Sequence, residues 1–245
     1  MRATIVRRFL APVFAALSLL AGCAASPAAD APSAAALDPV SGTGWAADMA
    51  RFAAEDAATP PPAHPVVFTG SSSVRLWTTL AVDFPAVPVL NRGFGGSHVR
   101  DAVWHADEVA LRYRPRRILI YAGDNDLFDG RTPQQVLADF QAFVARVRRV
   151  LPSTPVAFIA IKPSPSRAHL LAAQREANAL VRAYAGREPR VDYIDVFTPM
   201  LDAAGQPRAE LFVDDRLHLN RAGYALWRGI VARYLHQSVT HDDRK

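Results

Sequence analysis

Five short apolar runs, each followed by a stretch of helical character, constrain the fold of this chain more than any other feature. They cover residues 66–69, 87–91, 118–121, 156–161 and 191–194. Their hydrophobic residues are continuous rather than alternating, the pattern of strands covered on both faces. Strands that alternate with helices imply a parallel sheet with crossover connections, so the chain is predicted to be α/β with a five-stranded parallel sheet. Half of its 245 residues are hydrophobic, enough for one domain with a substantial core.

The helices between the runs carry their own signals. Thr132 is placed to cap a helix over 132–150, Pro133 suits its first position, and Gln135 completes a capping box. Val136, Phe140, Phe143, Val144 and Val147 then recur at helical spacing. Further helices are predicted over 45–57, stopped by Pro60-Pro61-Pro62, over 169–185, and after Asn220, where Leu226, Trp227, Ile230 and Val231 share a face.

The N-terminus reads as an export signal over 1–22. A short basic segment precedes an apolar stretch, 9–20, that is too short to span a bilayer. It ends in Leu20-Ala21-Gly22-Cys23, which resembles the lipobox of bacterial lipoproteins. By that resemblance Cys23 becomes the first mature residue and carries a lipid anchor; an ordinary secretory signal cut near Ala25 is the alternative. Cys23 is the only cysteine, so no intramolecular disulfide can form. Ala24, where an Asp would retain the protein at the inner membrane, favours the outer membrane, facing the periplasm. Residues 23–43, rich in Ala, Pro and Ser, are predicted to be a flexible tether with a mean reach of roughly 25 Å. The domain is expected over 44–237, with a disordered tail over 238–245.

Charge and composition exclude several function classes. The formal charge is +5, but Arg2, Arg7 and Arg8 fall in the signal, and the remaining 25 basic residues face 23 acidic ones. No nucleic-acid footprint is expected; Arg146, Arg148 and Arg149 fit a solvated helix face. The seven histidines lack ligand spacing, and no Gly-rich loop is followed by Lys. Asp124-Asn125-Asp126 faintly resembles the start of a calcium loop, but Phe128 and Gln135 stand where oxygen ligands belong. Neither a metal nor another cofactor is predicted.

Ligands of parallel sheets bind beyond the carboxyl ends of the strands. Gly70-Ser71-Ser72-Ser73 follows the first run, Asn91 to Gly96 the second, and Gly123-Asp124-Asn125-Asp126 the third. Asp215-Arg216-Leu217-His218 follows the fifth and precedes the last helix. Four separate segments thus converge on one sheet edge. Ser72 is the candidate nucleophile and His218 its base. Asp215, three residues earlier, would lie on the same face of a helical turn and orient the imidazole, with Asp214 as a competing carboxylate. The backbone N–H groups of Ser72 and Gly96 and the Asn125 amide are the candidate oxyanion donors. Gly-x-Ser-x-Gly is absent, which excludes the nucleophile elbow of the α/β-hydrolases.

With these four blocks in this order, the chain resembles the SGNH, or GDSL-type, hydrolases from about Val66 to Leu235. Trp77 and the run Leu219-Asn220-Arg221-Ala222-Gly223-Tyr224 also stand at family spacings. The resemblance implies a flavodoxin-like three-layer α/β/α sandwich, the triad Ser72, Asp215 and His218, and the oxyanion hole Ser72, Gly96 and Asn125. It implies hydrolysis of lipid esters, thioesters or acetylated sugars; a non-catalytic carbohydrate-binding lipoprotein of the envelope is the alternative. Ser71 departs from the usual Asp and is expected to touch no catalytic role; Ser73 follows the nucleophile. Asp124 departs from the usual Gly and is expected to turn from the cleft into local backbone bonds. Trp77, Phe94, Trp104 and Phe212 are assigned to core or pocket wall, and Lys162 to substrate contact or solvent.

Overall fold

The computed structural model describes Met1 and residues 44–242. The rest of the predicted signal, the tether and Cys23 lie outside the described residues. The strands are β1 (Val66–Gly70), β2 (Val89–Gly93), β3 (Arg117–Tyr121), β4 (Val156–Ile159) and β5 (Val191–Ile194). All pair in parallel, in the order β2-β1-β3-β4-β5. The long helices are α1 (Ala46–Ala58), α7 (Pro133–Val150), α8 (Leu171–Ala185) and α9 (Arg221–Asp242). Five short ones, α2 (Ser72–Arg75), α3 (Leu80–Asp83), α4 (Val99–Trp104), α5 (Ala106–Val109) and α6 (Asp124–Phe128), follow the first three strands.

Alternate side chains of each strand feed two separate cores, which explains the continuous apolar runs. Val67, Ile118, Ile120, Val156 and Phe158 meet residues of α1, α4, α5, α7 and α8 on one face. Val66, Phe68, Leu119, Tyr121 and Ile159 meet residues of α2, α3 and α9 on the other. The three-layer sandwich is therefore the predicted one. The Thr132–Gln135 capping box closes α7 with reciprocal bonds of 3.2 and 2.9 Å. Helix α9 runs to Asp242, past the predicted domain end at 237, because no glycine or proline interrupts it after Gly229.

Strand order positions the site. Strand β1 lies between β2 and β3, so the connections leaving β1 and β3 diverge and open a crevice at their carboxyl ends. Gly70 stands in register with Gly93 on one side and Tyr121 on the other, so three loops leave the sheet at one level. Strand β5 is at the edge, with β3 and β4 between it and β1, yet the segment after it must reach this crevice. Helix α9 brings it back: the fully buried Trp227 packs 5.0 Å from the Tyr121 ring and 6.0 Å from Trp77. Burying such a ring contributes roughly 2–3 kcal/mol. The Tyr224 hydroxyl donates to the Ser73 carbonyl at 3.0 Å and ties α9 to α2.

The turn out of β1 admits only glycine. Gly70 has φ +109°, and a Cβ built there would stand 1.9 Å from the Tyr121 carbonyl oxygen. Gly70→Ala is expected to cost about 3 kcal/mol or more from backbone strain and overlap together. That corresponds to a melting temperature lower by roughly 10 °C. A shift under 2 °C in a thermal melt would contradict this account of the turn.

Candidate active site

Ser71 and Ser72 leave the Gly70 turn in different directions. The Ser71 N–H donates to the Tyr121 carbonyl at 2.8 Å, continuing the β3 ladder by one bond. Ser72 opens α2 and stands half-buried above the sheet edge. Its Oγ lies 3.0 Å from Nε2 of His218, 146 positions away in the chain. The other imidazole nitrogen, Nδ1, lies 2.6 Å from Oδ2 of Asp215. Asp214 makes no hydrogen bond to this imidazole.

The Asp215–His218 pair is set by a turn rather than by the expected helix. An antiparallel bridge between Phe212 and Leu219 closes the loop, and the Val213 N–H donates to the His218 carbonyl at 2.9 Å. Inside it Arg216 takes a left-handed φ of +58°. Asp215 holds this shape with its own side chain: Oδ1 accepts from the N–H groups of Leu217 and His218 at 2.8 and 2.9 Å. Partial burial pushes the Asp215 carboxyl up, but the bonds from the His218 backbone, the His218 ring and Leu217 outweigh it and hold it at about 2. An ionised carboxylate only accepts hydrogen bonds, so the imidazole proton must sit on Nδ1. Nε2 is then a bare acceptor facing the Ser72 hydroxyl.

The glycine block is braced against the nucleophile's helix. The Asn91 amide donates to the Val74 carbonyl at 2.7 Å, and its oxygen accepts from the Gly93 N–H at 2.9 Å. Beyond it Gly96 takes φ +83° and is exposed. Neither the Gly96 N–H nor the Ser72 N–H has a partner among the described residues. Asn125 is fully committed: Nδ2 donates to Ser71 Oγ at 2.8 Å and to the Ser97 carbonyl at 3.2 Å, while Oδ1 accepts from Arg167 Nη2 at 3.0 Å. Asp126 joins the two blocks, accepting from the N–H groups of Gly123 (2.9 Å) and Val99 (3.0 Å), the first residue of α4. Burial pushes its carboxyl up to about 6, against the pull of nearby His98 and of the Val99 and Asp126 backbone N–H groups.

Several sequence expectations need correction. Asp124 turns away from the cleft, but into an ion cluster rather than local backbone bonds: Lys162 Nζ and Arg167 Nη1 each lie 3.0 Å from its Oδ2. Lys162 is only 1% exposed and reaches neither substrate nor solvent; it is held between Asp124 and the Tyr121 hydroxyl. Ser71 does touch the site, through its bond to Asn125. Trp77, Phe94 and Phe212 are core residues, whereas Trp104 is exposed. Arg167 and Gln174, the latter donating to Asp124 Oδ1 at 3.2 Å, escaped the sequence reading. The available signal was a demand: a buried Asp beside Asn125 requires a cation, and Lys162-Pro163-Ser164-Pro165-Ser166-Arg167 supplies two.

Comparisons with known proteins bear on the family and the fold. The model of the GDSL-like Lipase/Acylhydrolase family matches residues 44–226. No curated protein matches significantly. Among solved structures, a GDSL-like lipase from Bacteroides thetaiotaomicron superposes with TM-score 0.67 at 19% identity, covering 78% of this chain and 98% of its own. A carbohydrate esterase of family 3 from Talaromyces cellulolyticus gives 0.59 at 15% identity, covering 72% and 98%. A catalytic mutant of an acetylxylan esterase from Geobacillus stearothermophilus gives 0.59 at 14%, covering 71% and 94%. At such identities the superpositions establish the fold alone. The family match spans most of the chain, and on it this protein belongs to the GDSL-like lipase/acylhydrolase family, as a hydrolase acting on esters.

Proposed function

We propose that the protein is a serine esterase that works through an acyl-enzyme on Ser72. The observation that carries this reading is the unbroken chain from Ser72 Oγ through the His218 ring to Asp215, at 3.0 and 2.6 Å. Ser72 Oγ attacks the ester carbonyl carbon as its proton passes to Nε2 of His218. Asp215 stabilises the resulting imidazolium. The carbonyl π electrons move onto oxygen, which the Ser72 and Gly96 N–H groups receive. Asn125 Nδ2 joins them by giving up its longer bond to Ser97, because a hydrogen bond to an anion is about twice as strong as a neutral one. The tetrahedral intermediate collapses, the C–O bond to the alcohol breaks, and His218 returns its proton to the leaving oxygen. Water then attacks the acyl carbon with His218 again as base, releasing the acid and restoring Ser72.

The substrate class we propose is a short-acyl ester, an acetylated glycan foremost. Two considerations support it: the predicted export and anchoring at Cys23 in the cell envelope, and the carbohydrate-esterase and acetylxylan-esterase activities named for two proteins of the same fold. Fold alone does not select a substrate, so the test is a panel of p-nitrophenyl esters from acetate to octanoate, with acetylated xylo-oligosaccharide beside it. We expect kcat/KM to be highest for acetate and acetate to be released from the glycan. An octanoate preference of tenfold or more, with the glycan untouched, would move the assignment to lipid esters.

A further inference from the structure

Beneath the oxyanion donor lies a group of charges that the triad does not use. Asp124, Lys162 and Arg167 are 3%, 1% and 7% exposed. Burial pushes the Asp124 carboxyl up, but Lys162 and Arg167 outweigh it and hold the group low, hence ionised. Burial lowers Lys162, yet Asp124 holds it high, hence charged. Burial raises the Tyr121 hydroxyl, which stays neutral. One negative and two positive charges leave the cluster with a surplus of one positive charge. Lys162 alone would neutralise Asp124, so charge balance does not require Arg167.

The guanidinium is held in a specific way. Nη1 contacts Asp124 Oδ2 and Nη2 donates to Asn125 Oδ1, both at 3.0 Å, so one fork bridges two consecutive residues of α6. The Phe128 ring of the same helix stacks 4.5 Å from the guanidinium carbon. Arginine only donates and the Ser97 carbonyl only accepts, so the Asn125 amide has a single allowed orientation, with Nδ2 on the Ser71 and Ser97 side. A cation bonded to Oδ1 also draws electron density from the amide and strengthens Nδ2–H as a donor.

We propose that Arg167 is a positioning residue for the oxyanion hole: it locks the Asn125 amide and sets the cluster's surplus positive charge behind it. This rests on the serine-esterase reading. A preorganised positive group behind the donor favours the transition state, where negative charge develops, over the neutral ester, so it acts on kcat rather than KM.

The test is a double-mutant cycle in the full chain, with p-nitrophenyl acetate as substrate. Arg167→Met keeps the apolar stem and leaves the Asp124–Lys162 pair balanced. It is expected to lower kcat about 30-fold, with KM within about threefold. In an Asn125→Ala background the same change should cost far less, about threefold, because the amide it locks is gone and only the weaker reach of its charge to the oxyanion is left. Arg167→Lys keeps the charge but cannot bridge both neighbours; it guards against misfolding of the Met variant and should lose about tenfold, again only when Asn125 is present. Equal losses in both backgrounds would make Arg167 merely structural, and no loss in either would leave it without a role; both overturn the proposal. Failure of the underlying reading shows separately, as turnover retained by Ser72→Ala.

Discussion

Ser72→Ala is expected to lower kcat/KM for p-nitrophenyl acetate by about 10⁶-fold, the scale on which serine hydrolases respond to loss of the nucleophile. The substitution removes one atom, and that atom makes one hydrogen bond, to His218. The backbone of α2, its N–H and the Gly70 turn remain, so the oxyanion donors survive and a residual acceleration of about 10³-fold over water persists. The side chain is half-buried and fills no core, so the melting temperature should stay within about 2 °C of wild type. A variant that is inactive because it is unfolded, or one that keeps a tenth of the activity, would each contradict the assignment. Steady-state hydrolysis and a circular dichroism melt on the same preparation separate these outcomes.

Asp215→Asn should cost about 10⁴-fold in kcat, and the reason lies in the loop. Oδ1 of Asp215 accepts from two backbone N–H groups, and Oδ2 accepts from the imidazole. An asparagine has one acceptor oxygen, which the two N–H groups claim. Its NH₂ then faces Nδ1 and forces the proton onto Nε2, so the ring presents a donor to Ser72 where the reaction needs a base. Asp214→Asn, which disturbs no such bond, should stay within about threefold of wild type. The pH behaviour follows the same carboxyl. Its ordinary value is 3.8 and folding lowers it to about 2. A lowered carboxyl stabilises the folded chain above its unfolded value and gives that contribution up as pH falls through the folded one. Between pH 4 and 2 the wild type should therefore lose more stability than Asp215→Asn. With Asp215 ionised throughout the neutral range, a fall in rate on mild acidification would report a group other than this carboxyl.

The parts that were legible in the sequence share a physical cause. The inner strands β1, β3 and β4 stand out because two-sided burial makes them apolar runs, the edge strands β2 and β5, with Asn91, Arg92 and Asp192, show it less clearly, and α7 stands out because its cap and its periodic face agree. The four blocks could be read because turn chemistry after a strand is local: Gly70, Gly96 and Gly123 each sit where φ is positive. What escaped is set by tertiary partners. Helices α2 to α6 have four to six residues, too few for a periodic face, and form only where packing and capping hold them. Strand β2 begins two residues later than predicted because pairing with Val66 to Gly70 selects Val89 to Gly93. Strand β4 ends at Ile159, and the chain leaves the sheet toward Lys162, whose partner Asp124 lies 38 positions back. Arg167 is 42 positions from Asn125. Such pairs exist only once β3 and β4 lie side by side, and no local pattern announces them. Asp215 and His218 were matched by spacing, but the turn joining them is built by the carboxylate itself.

The central claim is that the Ser72 oxygen is the nucleophile. Its most direct measurement is reaction of the folded protein with a fluorophosphonate probe, followed by digestion and mass mapping of the adduct. The account predicts one adduct, on Ser72, absent from Ser72→Ala and strongly slowed in His218→Ala. An adduct on Ser71 or Ser73, or an active protein that takes no label, would contradict it.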